Sequence, residues 1–164
     1  MRGGAGAWFH GAVSRLHAFC RYWLPLGLWM VLIFIGSTDL LSAPHTSRFL
    51  VPLLHWLKPD LSDETVWTIQ LIIRKCGHLT EYAFLGLLWW RALRRPVVND
   101  TRPWDPRAAR WAVILAGLYA VTDEWHQAFV SSRQGSPWDV LIDSVGAALG
   151  MIGLWAFGRW RKFW

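Results

Sequence analysis

The chain has 164 residues, of which 54% are hydrophobic and only 17% are charged, and 14 of them are tryptophan. This length suits one domain, and this composition argues against a soluble protein. The net charge of +6 would also suit a nucleic-acid-binding protein, but the basic residues flank apolar segments. We therefore expect membrane lipids as partners and no nucleic acid.

Four apolar segments predict four membrane-spanning helices. The first, 22–38, contains no charged residue and approaches the ~20 residues that cross a bilayer. Three weaker segments follow at 74–93, 111–130 and 138–157. We expect an all-α integral membrane protein whose four transmembrane helices form a bundle over residues 22–158. A signal peptide over the first segment and a soluble helical bundle are the alternatives; the long stretch before that segment and the tryptophan content argue against them.

The distribution of arginine and lysine predicts the orientation of these helices. Basic residues cluster in the N-terminal segment 1–21, in the link 91–110 and in the tail 159–164, whereas the link 42–64 and the turn 131–137 are poorer in them. By the positive-inside rule the three basic groups are cytoplasmic. Both termini are then in the cytoplasm, and the protein is expected to be a multi-pass protein of the cell membrane, the bacterial plasma (inner) membrane.

The link 42–64 is expected to lie in the outer membrane interface, because it combines prolines with apolar residues. A helix start is predicted at its end. Ser62 is a candidate N-cap, and Asp63 and Glu64 in the following turn would complement the helix dipole. The second helix is thus predicted to begin outside the membrane and to enter it near Arg74.

Titratable residues gather at one end of the predicted helices. His78, Glu124, Asp143 and Asp39 lie ~20 to 27 Å along their helices from the nearest cytoplasmic arginine, in the outer half of a core of about 30 Å. An isolated charge in lipid costs ~2.5 kcal/mol or more, so we expect these side chains to turn inward and line a polar pocket. The predicted ligand-binding residues are Lys75, His78, Glu81, Tyr82, Asp123, Glu124, Gln127, Arg133, Asp139 and Asp143.

The last predicted helix also carries small residues on one face. Gly146 and Gly150 form a G-x-x-x-G spacing that Gly153 extends, and such spacing lets two helices approach closely. Glycine is also generally common in membrane helices, so the sequence leaves open whether this stripe is a specific packing seam.

The stretches "RKCGHLTEYAFLGLL" and "DEWHQAFVSSRQGSPWDVLIDSVGAALG" resemble the VanZ-like membrane proteins, a family named after a protein associated with teicoplanin resistance. The family pattern is Lys-x-x-His-x-x-x-Tyr, then Asp-Glu-x-x-Gln-x-Phe, an Arg in a short turn, and Asp-x-x-x-Asn or Asp before Gly-x-x-x-Gly. It falls here on Lys75, His78 and Tyr82, on Asp123, Glu124, Gln127 and Phe129, on Arg133, and on Asp139, Asp143, Gly146 and Gly150. The resemblance covers about half of the chain, from Arg74 to Gly150.

Two features depart from the family pattern. The turn reads "SSRQGSPWD", where many members have Pro-Gly before the Arg, and Asp143 stands where Asn is frequent. The resemblance implies a multi-span protein linked to the cell envelope or to the response to glycopeptides. It supplies no reaction and no cofactor.

Three hypotheses on function stay open at this point. In the first, the pocket is a binding module for an anionic envelope ligand, either a lipid headgroup, a lipid-linked cell-wall precursor or a glycopeptide. Arg133 and Lys75 would contact its phosphate or carboxylate, and Tyr82 and Gln127 would add hydrogen bonds.

In the second hypothesis the protein is an intramembrane enzyme, either a metal-assisted hydrolase or a lipid-modifying enzyme. His78 with Glu81, and Asp123 with His126, each place an imidazole and a carboxylate one helical turn apart, as metal sites in helix bundles do. Without a metal, Glu124 and His78 would form an acid/base pair. The candidate catalytic residues are therefore His78, Glu81 and Glu124. In the third hypothesis the charges only hold the helices together, and the protein is a structural assembly partner in the membrane.

Overall fold

The computed structural model of the chain describes residues 16–39, 43–98, 100–131, 133 and 135–164. These residues form five helices and no strand: α1 Leu16–Gly36, α2 Ala43–Leu57, α3 Asp63–Arg94, α4 Pro106–Gln127 and α5 Pro137–Trp160. The prediction of an all-α chain is confirmed. Most of the expected N-terminal segment, residues 1–15, lies outside the described part of the chain.

α1 combines two helical geometries. A π-helical turn at Phe19–Trp23 precedes a regular α-helix at Leu24–Gly36. The π-helical turn ends just before Pro25, whose missing N–H interrupts the regular hydrogen bonding of an α-helix. The helix ends at Ser37, whose N–H donates to the Ile33 carbonyl at 2.8 Å.

α3 begins where the sequence predicts a helix start. The Ser62 hydroxyl accepts a hydrogen bond from the Thr65 N–H at 3.3 Å, and Asp63 and Glu64 lie in the first turn. The helix has 32 residues, so it is ~48 Å long and exceeds a hydrocarbon core of about 30 Å. It ends at Arg95, whose left-handed backbone (φ 48°) is typical of a residue that terminates a helix.

α4 and α5 begin in the same way, with a side-chain N-cap that is followed by a proline. Asp105 accepts hydrogen bonds from the Arg107 and Ala108 N–H groups, and Ser136 accepts one from the Trp138 N–H. A proline follows each cap at the first helical position, where it displaces no hydrogen bond. The cap and the proline together fix the residue at which each helix begins.

α3, α4 and α5 form the core, and the most extensive interface joins α3 to α5. A Cβ added to Gly146 would lie 2.6 Å from the Leu79 carbonyl oxygen, and one added to Gly150 would lie 2.6 Å from the Ala83 carbonyl oxygen. Gly153 faces open space. Two of the three glycines in the predicted stripe therefore form a specific seam, and the third does not.

α4 contributes its own face of small residues to this core. Ala112, Ala116 and Ala120 recur every four residues and are fully buried. At this spacing alanines lie above one another on one side of a helix, so a neighbouring backbone can approach. This alanine stripe was not predicted from the sequence.

α1 and α2 lie outside the three-helix core. α1 packs along α3. Its long-range hydrogen bonds include those from Tyr22 Oη to the Pro96 carbonyl at 2.7 Å, from Trp29 Nε1 to the Glu81 carbonyl at 3.0 Å and from Tyr119 Oη to the Met30 carbonyl at 2.6 Å. α2 contacts α3 and occupies most of the link 42–64 that was predicted to be interfacial. The fold is thus a three-helix core with α1 and α2 laid against α3, and not a bundle of four equally packed helices.

Only two of the five helices in the described part of the chain are long and apolar enough to cross a membrane by length and composition. They are α1 and α5. The prediction of four membrane-spanning helices is not confirmed on this criterion, because α3 and α4 carry many of the polar and charged residues described below. The hydrophobic content and helical architecture remain compatible with a membrane protein.

Candidate functional site

Polar side chains of the three core helices meet near the end of α1. His78 of α3, Asp123, Glu124 and Gln127 of α4, and Asp139 and Asp143 of α5 are all buried within the chain. They come from three different helices, and their burial shows that they turn inward within the chain. A cluster of buried titratable groups of this size is costly in the core of a protein unless its members are paired or bind an ion.

The centre of the cluster joins an imidazole to two carboxylates. Nδ1 of His78 lies 3.2 Å from Oδ1 of Asp143. Glu124 enters from the third helix, and its Oε2 accepts a hydrogen bond from the Ser136 N–H at 2.8 Å. One ligating atom from each of His78, Glu124 and Asp143 lies within 4.8 Å of the other two. Each of the three core helices thus contributes one titratable group to the same small cluster.

A second level of charges lies one helical turn nearer the N-terminal end of α5. The Lys75 ammonium contacts Oδ1 of Asp139, and Arg74 Nη2 lies 3.7 Å from Oδ2 of the same carboxylate. Asp139 is buried, whereas about a third of each cationic side chain is exposed. These pairs join α3 to α5 beside the glycine seam.

A third group of contacts joins α4 to α1. Gln127 Nε2 donates to Oδ2 of Asp123 at 3.1 Å and to the Ser37 hydroxyl at 3.4 Å. Tyr82, fully buried on α3, lies next to Asp123. The predicted residues Tyr82, Asp123 and Gln127 are therefore inside the cluster and not on its surface.

Arg133 holds the C-terminal end of α1. Its Nε donates to the Thr38 carbonyl at 3.0 Å, and its Nη2 donates to the Gly36 carbonyl at 2.6 Å. Carbonyl groups at a helix end are unsatisfied and carry partial negative charge, so a guanidinium is stabilising there. Burial, followed by the nearby Arg74 guanidinium, lowers the pKa of Arg133 from its usual value.

An open cavity of about 610 Å³ adjoins the cluster between the end of α1, α2 and α3. Leu50, Trp67, Leu71 and Ile73 form its apolar wall. The other side chains and backbone that line it are Gly36, Ser37, Thr46, Ser47, Gln70, Arg74, Gly77, His78, Glu81 and Arg133. The cavity therefore has an apolar side and a charged side, and His78 belongs both to its wall and to the buried cluster.

The structure groups metal-ligating side chains differently from the sequence analysis. Helical spacing pairs residues of one helix, His78 with Glu81 and Asp123 with His126. Within the described residues, neither pair belongs to a group of three ligating side chains, and the His126 ring instead lies 4.2 Å from the ring of Phe34, centre to centre. Glu81 faces the cavity. The group that forms combines His78 with Glu124 and Asp143 from neighbouring helices.

Some residues of the site were not foreseen. Ser37 and Ser136 bind Gln127 and Glu124, and Trp67 and Gln70 line the cavity. Ser136 stands before "PWD", a helix-start pattern that could have indicated a buried N–H near the cluster. Trp67 and Gln70 precede the predicted start of the membrane segment at 74, and they were not among the predicted pocket residues.

A family model described as VanZ/LLP1 matches residues 22–158, most of the chain. The chain belongs to the VanZ/LLP1 family. No curated protein and no solved structure gives a match. The resemblance found over residues 74–150 is confirmed, and the match extends over α1 and α2, where no motif was recognised in the sequence.

The VanZ/LLP1 motif residues coincide with the site. Lys75, His78 and Tyr82 of the first element and Asp123, Glu124 and Gln127 of the second are in contact across the core or line its cavity. Phe129 is the exception, because its side chain is exposed. In this VanZ/LLP1 protein the Asp143 carboxylate is the direct partner of His78.

Proposed function

We propose that this VanZ/LLP1 protein crosses the plasma membrane four times, through α1, α3, α4 and α5, with both termini in the cytoplasm. The distribution of apolar side chains supports this arrangement. On α4 the large residues Trp111, Ile114, Leu118 and Trp125 point outward and are exposed, while carboxylates and alanines point inward. A soluble protein buries its large apolar residues, whereas a membrane protein exposes them to lipid.

The charges at the two ends of the core support the orientation. The basic link between α3 and α4 contains Arg95 and Arg102, and Arg107 lies in the first turn of α4. This link follows the C-terminal end of α3, whereas the buried cluster meets α3 near its middle, around His78. If this link is cytoplasmic, as the positive-inside rule requires, the cavity opens toward the outer surface. Ligands of the cell envelope then reach it directly.

The function that this cavity supports best is recognition of a phosphate-bearing headgroup on an anionic envelope lipid, either a phospholipid or a lipid-linked wall precursor. One observation carries the proposal: Arg74 and Arg133, from separate elements, line one cavity that also has an apolar wall. Guanidinium groups bind phosphate with paired hydrogen bonds, and the apolar wall would accept the first part of a lipid chain.

The electrostatics of the two arginines agree with an anionic ligand. Arg74 Nε is buried and has no hydrogen-bond partner among the described residues. The Arg74 charge is also one cause of the lowered pKa of Arg133, so the two guanidinium groups repel each other. An anion between them would relieve this repulsion and satisfy the unpaired donor.

The size of the cavity suits such a ligand. Pockets for small molecules have volumes of roughly 300 to 1,000 Å³, and about 610 Å³ falls within this range. Membership of the VanZ/LLP1 family is consistent with a role in glycopeptide resistance, in which the ligand would be a lipid-linked wall precursor or the glycopeptide itself. We extend the proposal to that role.

The test is lipid binding by the full chain in detergent, measured by native mass spectrometry. The probes are phosphatidylglycerol, a polyprenyl diphosphate and, as the zwitterionic reference, phosphatidylcholine. We expect the two anionic lipids to bind more tightly than phosphatidylcholine, and Arg74→Gln to weaken their binding about 10-fold, the loss of one charge-assisted contact. A preference between the two anionic probes would identify the ligand class.

The matched control is Arg48→Gln, which removes an exposed arginine of α2 outside the cavity. Arg133→Lys is the second variant, because it retains the charge that holds α1 but loses the planar fork. Equal binding of all three lipids, or equal loss in the Arg74 and Arg48 variants, would refute the headgroup pocket.

A further inference from the structure

We propose that His78, Glu124 and Asp143 bind one divalent first-row transition-metal ion, Zn²⁺, Mn²⁺ or Fe²⁺, between α3, α4 and α5. This inference goes beyond the proposed function, because the ion would be bound whether or not a headgroup occupies the cavity. It also replaces the ligand pairs that helical spacing predicted on single helices.

The geometry of the three side chains is that of a ligand set. Their ligating atoms all lie within 4.8 Å of one another, close to the ~4.4 Å that is the widest separation of two ligands of one ion bound at ~2.0–2.2 Å. Each group comes from a different helix of the core, so the backbone fixes all three. His78 also lines the outer cavity, which gives the ion a route of entry.

Two carboxylate oxygens at this point have no protein partner. Glu124 Oε1 and Asp143 Oδ2 are buried and make no hydrogen bond within the described part of the chain. The two side chains are 5% and 0% exposed. A buried carboxylate oxygen without a partner is strongly unfavourable, and a cation would satisfy both oxygens at once.

The second oxygen of Glu124 is held in place by the protein. Its Oε2 accepts from the Ser136 N–H at 2.8 Å, which leaves the buried Oε1 as the oxygen without a hydrogen-bond partner. Asp143 is similarly oriented by its contact with His78 Nδ1 at 3.2 Å. Ligating carboxylates in metal sites are commonly oriented by such hydrogen bonds.

The numbers of acidic and basic side chains in the cluster also favour a bound cation. Five carboxylates belong to it, on Glu81, Asp123, Glu124, Asp139 and Asp143. The cations facing them are Arg74, Lys75 and Arg133. With all five carboxylates ionised and His78 neutral, the cluster has two negative charges in excess, which one divalent ion would balance.

The chemistry of the donors selects the class of ion. One imidazole nitrogen with two carboxylate oxygens suits zinc, manganese or iron(II). Calcium and magnesium prefer all-oxygen sites with more ligands, and copper(I) prefers sulfur. A set of three protein ligands leaves at least one coordination position for water or for a ligand oxygen.

The test is the metal content of the full chain, purified in mild detergent and measured by inductively coupled plasma mass spectrometry. We expect about one zinc, manganese or iron ion per chain, and a loss of at least about ten-fold in His78→Gln, Glu124→Gln and Asp143→Asn. Glu64→Gln and His126→Gln are matched controls, because they remove the same chemical groups outside the ligand set and outside the five carboxylates of the cluster, and they should retain the ion.

A second measurement does not depend on the folding of any variant. Cobalt(II) added to chelator-stripped wild-type protein should produce visible absorption bands that saturate at about one equivalent and that zinc(II) displaces. Wild-type protein that carries no stoichiometric metal and gives no cobalt bands would overturn the proposal, and protons would then neutralise the excess charge. Equal metal content in the ligand variants and in the controls would also overturn it.

Discussion

Oδ1 of Asp143 lies 3.2 Å from Nδ1 of His78, and this contact joins the two helices that share the largest interface of the protein. Both side chains are almost completely shielded. The glycine seam lies directly beside the pair, since Gly146 is one turn beyond Asp143 on α5. Close approach of the two backbones is what lets a short aspartate side chain reach the imidazole.

Substitution of Asp143 should show how much the hydrogen bond to His78 contributes to the free energy of unfolding. Asp143→Ala leaves His78 Nδ1 buried without a partner, and we expect a loss of ~1–3 kcal/mol in the free energy of unfolding. Asp143→Asn keeps an acceptor oxygen, so its loss should be much smaller. The measurement is unfolding followed by tryptophan fluorescence in chelator-treated detergent solution, which removes any contribution of a metal ion.

Asp60→Ala is the control for that comparison, because Asp60 is exposed between α2 and α3. It should leave the unfolding midpoint unchanged. If the Asn and Ala variants of Asp143 lose the same stability, the hydrogen bond to His78 is not the stabilising feature of this position.

The glycine seam gives a second prediction. Gly146→Ala and Gly150→Ala each place a methyl group against a backbone carbonyl of α3, at 2.6 Å before relaxation. The helices must separate, and we expect a cost of ~1–3 kcal/mol in the free energy of unfolding. Gly153→Ala meets open space, so it should be neutral or slightly stabilising, as alanine favours a helix over glycine.

The unfolding of the three glycine variants is measured under one set of detergent conditions. All three carry the same substitution, glycine to alanine, and they differ only in its position on α5. Gly153 is therefore the internal control. Comparable stability of the Gly146 and Gly153 variants would contradict the close approach of α3 and α5.

Much of the site was predictable because helix geometry is fixed. A constant rise and turn per residue place His78, Glu124 and Asp143 at one level once their helices are aligned by their arginine ends. The N-cap at Ser62 was predictable for a similar reason, since capping depends on a few neighbouring residues. Features of this kind need no knowledge of how the helices pack.

Contacts between helices were not predictable in the same way. The side chain that meets His78 depends on the rotation of α5 about its axis, and the seam at Gly146 and Gly150 sets that rotation. The partners of Arg133 are backbone carbonyls of Gly36 and Thr38, groups that every residue carries and that no sequence motif marks. Composition could not show that α1 lies beside the core.

The pair formed by Lys75 and Asp139 tests whether charges hold the helices together. Lys75 is partly exposed and Asp139 is buried. In a double-mutant cycle of Lys75→Met and Asp139→Asn, we expect a coupling of ~1 kcal/mol in the free energy of unfolding, the range of a partly exposed ion pair. Lipid binding is measured on the same proteins.

The structural hypothesis and the binding hypothesis predict different behaviour of the double variant. If charges serve only to hold α3 against α5, the double variant should fold and function as the wild type does, because both charges of the Lys75–Asp139 pair are removed together and only the longer Arg74 contact is lost in addition. If the cluster binds a ligand, lipid affinity should fall although the fold survives. Lys58→Met, at an exposed position outside the cluster, is the control for loss of a lysine.

The four-span arrangement makes a prediction that separates it from a two-span one. In a cysteine-free background, Cys20→Ser with Cys76→Ser, single cysteines replace two exposed link residues, Asp60 before α3 and Thr101 before α4. If α3 crosses the membrane, a membrane-impermeant maleimide should label Asp60→Cys in intact cells and Thr101→Cys only after permeabilisation.

The labelling pattern follows from which helices cross. If only α1 and α5 span the membrane, the links before α3 and before α4 lie on one side, so both cysteines would react alike in intact cells. If α3 and α4 also cross, Phe163→Cys in the exposed tail should behave like Thr101→Cys, because two further crossings return the chain to the cytoplasm. Labelling of both variants after permeabilisation controls for thiol reactivity. Equal labelling at positions 60 and 101 in intact cells would mean that α3 does not cross the membrane. The buried cluster would then not lie within the membrane, and the proposal of an outward-facing pocket would be refuted.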